Sequence, residues 1–281
     1  MKSRTLTLAA VAVVAFSSIL AWLNQAAPWP GAWRENFPVP VGLRGSVSIS
    51  LGGDPVRTMA NSLTDEGLEH AARMLVDGNE GPIIHIRLEA DKPLKKEKSY
   101  EEFGLANETH GWFRTVHFFR NPNRYAAEVT KARLGWLDAS DTFHTFAEVS
   151  FDPSINVRPE DRLVINWTVW VVRDVDARLT VEGLAYLVRR FSGWTSDTIE
   201  WGLAVSDSDY IARNATHAVS GASAIFNVTF AFTEDFTVKR VGISWTNTST
   251  DLFAGLETRL PFRAGGELKL TWNVTFTRVA G

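Results

Sequence analysis

Six histidines, His70, His85, His110, His117, His144 and His217, are the first residues to test for chemistry in this chain. None falls in an H-E-x-x-H pattern, and no tight pair has zinc spacing. His85 lies in an apolar run and reads as a core side chain whose ring is satisfied internally. Acidic pairs recur at Asp138 and Asp141, Asp174 and Asp176, and Asp207 and Asp209. A calcium site asks for about six or more oxygen ligands, so these pairs read as turn carboxylates, and bound calcium is left open. Paired carboxylates also serve glycoside hydrolysis, but only at a separation that sequence does not give. There is no G-x-S-x-G elbow and no phosphate-cradling glycine loop. The absence of cysteine excludes disulfides, thiolate metal sites and cysteine nucleophiles. No catalytic, cofactor-binding or metal residue is assigned, and a non-enzyme with no cofactor is expected.

The elements that would position any site must come from 281 residues, enough for two small domains. The formal net charge of −3 gives no general pull toward nucleic acid. Eleven tryptophans and seventeen phenylalanines allow a large core, and Val, Thr, Phe and Trp in the second half favour strands. At the start, Lys2 and Arg4 precede an uncharged run from Thr5 to Leu23. Its length suits a membrane helix, and Trp22, Trp29 and Trp33 suit an interfacial belt. A retained anchor is favoured over a cleaved signal peptide, and both predict export. Asn-x-Ser/Thr triplets at Asn107, Asn166, Asn214, Asn227, Asn247 and Asn273 exceed the roughly two that chance would give. They are glycosylation candidates, although Thr-rich strands also generate such triplets incidentally.

The chain contains its own copy. "LTDEGL" from Leu63 returns as "LTVEGL" from Leu179. Thr64 and Thr180 are suited to cap helices, with Gly67 and Gly183 three residues on. Gly78 and Gly193 suit left-handed positions at the helix ends. Ile84 and Leu88 then align with Ile199 and Leu203. Thr130, Arg133 and Gly135 align with Thr237, Arg240 and Gly242, and Phe146 with Phe253. Trp167 and Trp272 fall at matching positions of two strands that alternate apolar and polar residues, "INWTVWVV" and "LKLTWNVTF". Asn166 and Asn273 lie on the polar faces of those strands. The strand from Leu163 is expected to serve both copies, ending one and opening the next. The predicted organisation is a signal or anchor over 1–27, a proline-rich stalk over 28–44, and two tandem β-sandwich units, 45–172 and 173–281, each with one short amphipathic helix.

The segments "NSLTDEGLEHAARMLVDG", "VKRVGISW" and "RAGGELKLTWNVTF" resemble short helix and strand motifs of bacteriophage and prophage tail-fibre-associated structural proteins. The resemblance implies assembly and attachment in place of catalysis. The N-terminal segment and the triplets depart from it and look more like an archaeal surface protein or archaeal-virus virion protein. The resulting expectation is a structural subunit of an extracellular assembly, a virion, filament or cell-surface structure. It would act by self-association or by docking to other subunits, with a membrane contact through Thr5 to Leu23. The alternatives are a secreted module that binds surface glycans or a receptor through aromatics such as Trp170 or Trp201, and a carboxylate-based hydrolase.

Overall fold

Alternating apolar residues build three β-sheets, and two capped helices fill the space between them. The computed structural model describes residues 32–174, 178–248 and 251–279. Two strands open the fold, β1 (Ala32–Leu51) and β2 (Asp54–Ala60). The first copy follows: β3 (Ser62–Leu63), α1 (Asp65–Arg73), β4 (His85–Ala90), β5 (Lys95–Leu105), β6 (His110–Arg120), β7 (Ala127–Leu137), β8 (Phe143–Val157) and β9 (Arg162–Arg173). The second copy repeats that order as α2 (Val181–Phe191), β10 (Trp201–Val205), β11 (Tyr210–Asn214), β12 (Thr216–Ser220), β13 (Ser223–Ala231), β14 (Phe236–Ser244), β15 (Leu252–Phe262) and β16 (Glu267–Arg278). Where the first copy has the single strand β5, the second changes sheets at Ala215 and makes two short strands. Among the described residues the protein is mainly β, with two short helices.

The central sheet has eight strands in the order β12-β13-β16-β1-β9-β6-β5, with β2 paired to β1. Each copy adds a four-stranded sheet, β3-β8-β7-β4 and β11-β10-β14-β15. β1 joins the copies. Ala32–Leu43 runs parallel to β16, and Val41–Leu51 runs antiparallel to β9. The stalk expected over 28–44 is therefore corrected from Ala32 onward: Phe37, Val39, Val41 and Leu43 are buried core residues. Pro38 and Pro40 are tolerated because the segment before Val41 has a ladder on one side only, with β9 joining at Val41. The expected boundary between units 45–172 and 173–281 is not a break in the fold, since one sheet runs through both. The strand serving both copies is β1, not the strand from Leu163.

The helices explain why "LTxEGL" occurs twice. The hydroxyl of Thr64 accepts the amide of Gly67 at 2.9 Å and donates to the carbonyl of Thr145 at 2.6 Å. Thr180 accepts from Gly183 at 2.8 Å and donates to Leu252. One side chain thus caps a helix and ties it to a strand. A Cβ on Gly67 would lie 2.5 Å from the carbonyl oxygen of Phe146, and one on Gly183 would overlap that of Phe253. Glycine is required here for close approach, with no positive φ involved. Gly193 has φ +81° after α2 and ends that helix as predicted, whereas Gly78 does not have a left-handed conformation.

Each helix also packs on the other copy's part of the central sheet. α1 contacts β16, β13 and β12, and α2 contacts β6, β5 and β9. The ring of Phe191 meets both Phe113 of β6 and Phe276 of β16. Trp167 and Trp272 are fully buried and flank β1, opposite Val47 and Phe37. The structure also corrects two alignments. Leu134 and Ile243, not Gly135 and Gly242, are equivalent, because they face Ala147 and Ala254 in matching ladders. Ile83, not Ile84, matches Ile199, because their amides make matching bonds to the opposite helix.

Candidate functional site

The two faces of the central sheet have different surroundings. Val188 and Leu184 of α2 lie against Gly111, Val228 lies against Gly202 of β10, and Thr115 and His117 reach the carbonyl of Ile84. These contacts place both helices and both smaller sheets on one face. Residues of opposite parity, from Arg34 to Ser50 on β1 and from Val164 to Val172 on β9, point the other way.

On the first-copy half of that open face, cross-strand register lines the side chains into rows. Gly104, Trp112, Trp170 and Arg44 stand side by side across four strands. The next row is Glu102, Arg114, Thr168 and Ser46, and beyond it Lys98, Phe118, Val164 and Ser50 form another. Gly104 leaves room for the Trp112 ring, whose atoms a Cβ would meet at 3.3 Å. Cations lie over the rings: Arg44 is 5.8 Å from the Trp170 centroid, Arg114 5.2 Å from Trp112, and Lys98 4.4 Å from Phe118. Tyr100, 43% exposed, sits 6.1 Å from Phe118. Arg114 is held by Thr168 at 3.3 Å and by Glu102 at 3.5 Å. Buried Nε of Arg44 has no hydrogen-bond partner. Such a face can pack flat apolar rings and hold anions with guanidinium forks.

The second-copy half of the open face is hydroxyl- and amide-rich. Asn227 and Asn273 project from it, and Thr271 donates to the Asn227 side chain at 2.8 Å. Asn166 is their counterpart on the aromatic half, half-buried between Val116 and Ser48, with its carboxamide oxygen buried and unpartnered. Asn107, Asn214 and Asn247 lie exposed in or beside turns. Asn107 already folds its own loop, accepting the amides of Thr109 and His110. Trp170 belongs to the aromatic rows. Trp201 lies in another sheet, between Asn214 and Ser244.

The nearest approach to catalytic geometry is at the start of α1. His144 bridges Glu66 at 2.8 Å and Asp138 at 3.0 Å. Hydrogen bonds to Asp138 and Glu66 raise the His144 pKa. Bonds from His144, Ser140 and Thr142 hold the Asp138 carboxyl well below its usual range. Both ring nitrogens are engaged by carboxylates, so none is free to take a substrate proton. The trio clips α1 to the β7–β8 turn. Asp141 sits in that turn with φ 61°, and Asp207 pairs with Lys239. Asp176 lies outside the described residues. His117 is buried, bonded to Ile84 at 2.9 Å, and pushed down to about 4 by burial and by Lys96. His85 is half-buried, and its pKa is lowered by burial. Among the described residues no three His, Asp or Glu side chains form a metal-binding group.

Compared with known protein families, curated proteins and solved structures, the chain matches none. Sequence reasoning named Trp170 but missed Trp112, Arg44 and Arg114. Their face depends on pairing register, and Arg44 was assigned to the stalk. Among the described residues no helix is long and apolar enough to cross a membrane, and the expected anchor Thr5–Leu23 lies outside them.

Proposed function

We propose that the protein is a non-enzymatic docking subunit of an extracellular assembly, and that the open face of its central sheet is the docking surface. One observation carries the reading: the helices and smaller sheets pack on the other face, while this one presents aligned aromatics and cations outward. Tryptophan, tyrosine and arginine are the side chains that supply most binding energy at interfaces. The duplication fits a scaffold in which two sandwich halves share one sheet, and β1 stiffens the platform across both. The tail-fibre resemblance supports assembly and attachment, and the N-terminal apolar run supports an exported, surface-bound setting, with the chain held at a membrane by Thr5 to Leu23.

The test is association of the full-length chain, purified under mild conditions and followed by sedimentation and electron microscopy. A Trp112→Glu, Trp170→Glu double variant should lose association while keeping its circular dichroism. Unchanged association would defeat the reading.

A further inference from the structure

We infer that the open face binds an extended anionic glycan, a chain of sugars bearing carboxylate or sulfate groups, laid along β1. This rests on the reading of that face as the docking surface and names its occupant. Three hollows follow one another along the strand. Arg34 and Asn36 line the first, of about 480 Å³, with Lys269 and Thr271 opposite. Pro40 and Gly42 line the second, of about 420 Å³, with His110 and Arg173. Arg44 and Ser46 line the third, of about 280 Å³, against Trp170. From Arg34 to Ser46 the strand covers about 40 Å at about 3.3 Å per residue. A compact ligand fills one hollow, whereas a linear polymer can use all three.

Charge decides which polymer. Arg34 and Lys269 line the first hollow and Arg44 the third, while Arg173 at the second is bound to the carbonyls of Glu108 and Leu179. The carboxylates lining them are Glu35 and Asp174, and Glu267 pairs with Lys269 at 2.8 Å, still fewer than the cations. Arg114 lies in the row of Ser46, which lines the third hollow, with Glu102 as its acidic neighbour. This surplus stands in a chain of net charge −3, so it is concentrated here and is not general. The guanidinium forks of Arg34 and Arg44 match a carboxylate or sulfate. The paired Trp112 and Trp170 offer apolar surface to sugar C–H groups. Single-stranded nucleic acid uses similar chemistry but depends on bases stacking on aromatic faces. Along β1 no Trp, Tyr or Phe lines the first or second hollow, so successive bases would find no stacking platform there.

The experiment measures binding of the full-length chain to polygalacturonate, dextran sulfate, neutral dextran and an oligothymidylate, at low and high salt. Binding to one or both anionic glycans is expected, weakening with salt and absent for neutral dextran. The two anionic probes separate carboxylate from sulfate recognition. Trp170→Ala and Arg44→Gln should each weaken binding about tenfold, with Trp194→Ala unchanged; that ratio corresponds to about 1.4 kcal/mol. If Trp170→Ala fails to fold, Arg44→Gln decides, because it keeps most of the side-chain stem. The inference is overturned by no binding to either anionic glycan, by binding indifferent to Arg44→Gln, or by tighter binding to oligothymidylate. If glycan binding is absent but the Trp112→Glu, Trp170→Glu variant still abolishes association, the docking face stands and only its occupant is wrong. If that variant changes no association either, the docking reading falls too.

Discussion

The amide of Ile83 donates to the carbonyl of Phe191 at 2.9 Å, linking the segment after α1 to the end of α2. Ile199, the copy of Ile83, donates to Leu75, the copy of Phe191, at the same distance. The two copies therefore clasp each other around a local twofold relationship. His70 and Tyr186 repeat it: each stacks on a tryptophan, Trp136 and Trp245, and each ring reaches a carbonyl, of Gly81 and Asp197. Arg190 breaks the symmetry. Buried in α2, it donates to Met74 at 2.9 Å and to Asp77 at 2.8 Å at the end of α1.

Arg190→Met should cost about 2–4 kcal/mol, since each buried acceptor left unpaired costs about 1–3 kcal/mol. Arg190→Lys should not restore the loss, because one ammonium does not span both carbonyls. Denaturant unfolding measures it, and a neutral Arg190→Met would contradict the clasp.

Gly67→Ala and Gly183→Ala are predicted to destabilise by about 1–3 kcal/mol each through overlap with the Phe146 and Phe253 carbonyls. Helix propensity alone predicts the opposite sign, a gain of about 1 kcal/mol. The direction of the denaturation midpoint separates the two.

Removing residues 28–44 takes Phe37, Val39, Val41 and Leu43 from the core and the β16 partner from the central sheet. The shortened chain should lose its cooperative thermal transition. Retention of that transition would restore the stalk reading.

His144 and His117 should act with opposite signs in acid. The His144 pKa is raised on folding, so its contribution is fully present below the unfolded value of about 6.5 and is lost as pH rises through the folded value. The Tm deficit of His144→Gln should therefore be larger near about pH 5.5 than near about pH 8.5. His117 is pushed down to about 4, so its contribution is present above the unfolded value and is lost as pH falls through the folded one. His117→Gln should gain on wild type as the solution is acidified. Parallel pH profiles for the two variants would contradict these assignments.

How much of this was legible in the sequence depended on range. Thr64, Gly67, Thr180 and Gly183 were readable because capping is local. The alternation around Trp167 and Trp272 was readable because period two is local as well. Residues 32–44 were misread because Pro38 and Pro40 signal a break, and only tertiary pairing shows that one flank there needs no ladder. The aromatic rows were invisible because Gly104, Trp112, Trp170 and Arg44 are brought side by side by strand register. No periodicity within one segment records that.

The most direct measurement is oxidative labelling of tryptophans in the purified protein and in its native surface or particle fraction. Trp112 and Trp170 should lose reactivity in the native fraction, while Trp194, 66% exposed beside Phe103, stays reactive. Equal labelling of Trp112 and Trp170 in both fractions, or protection confined to Trp194, would contradict docking through the open face.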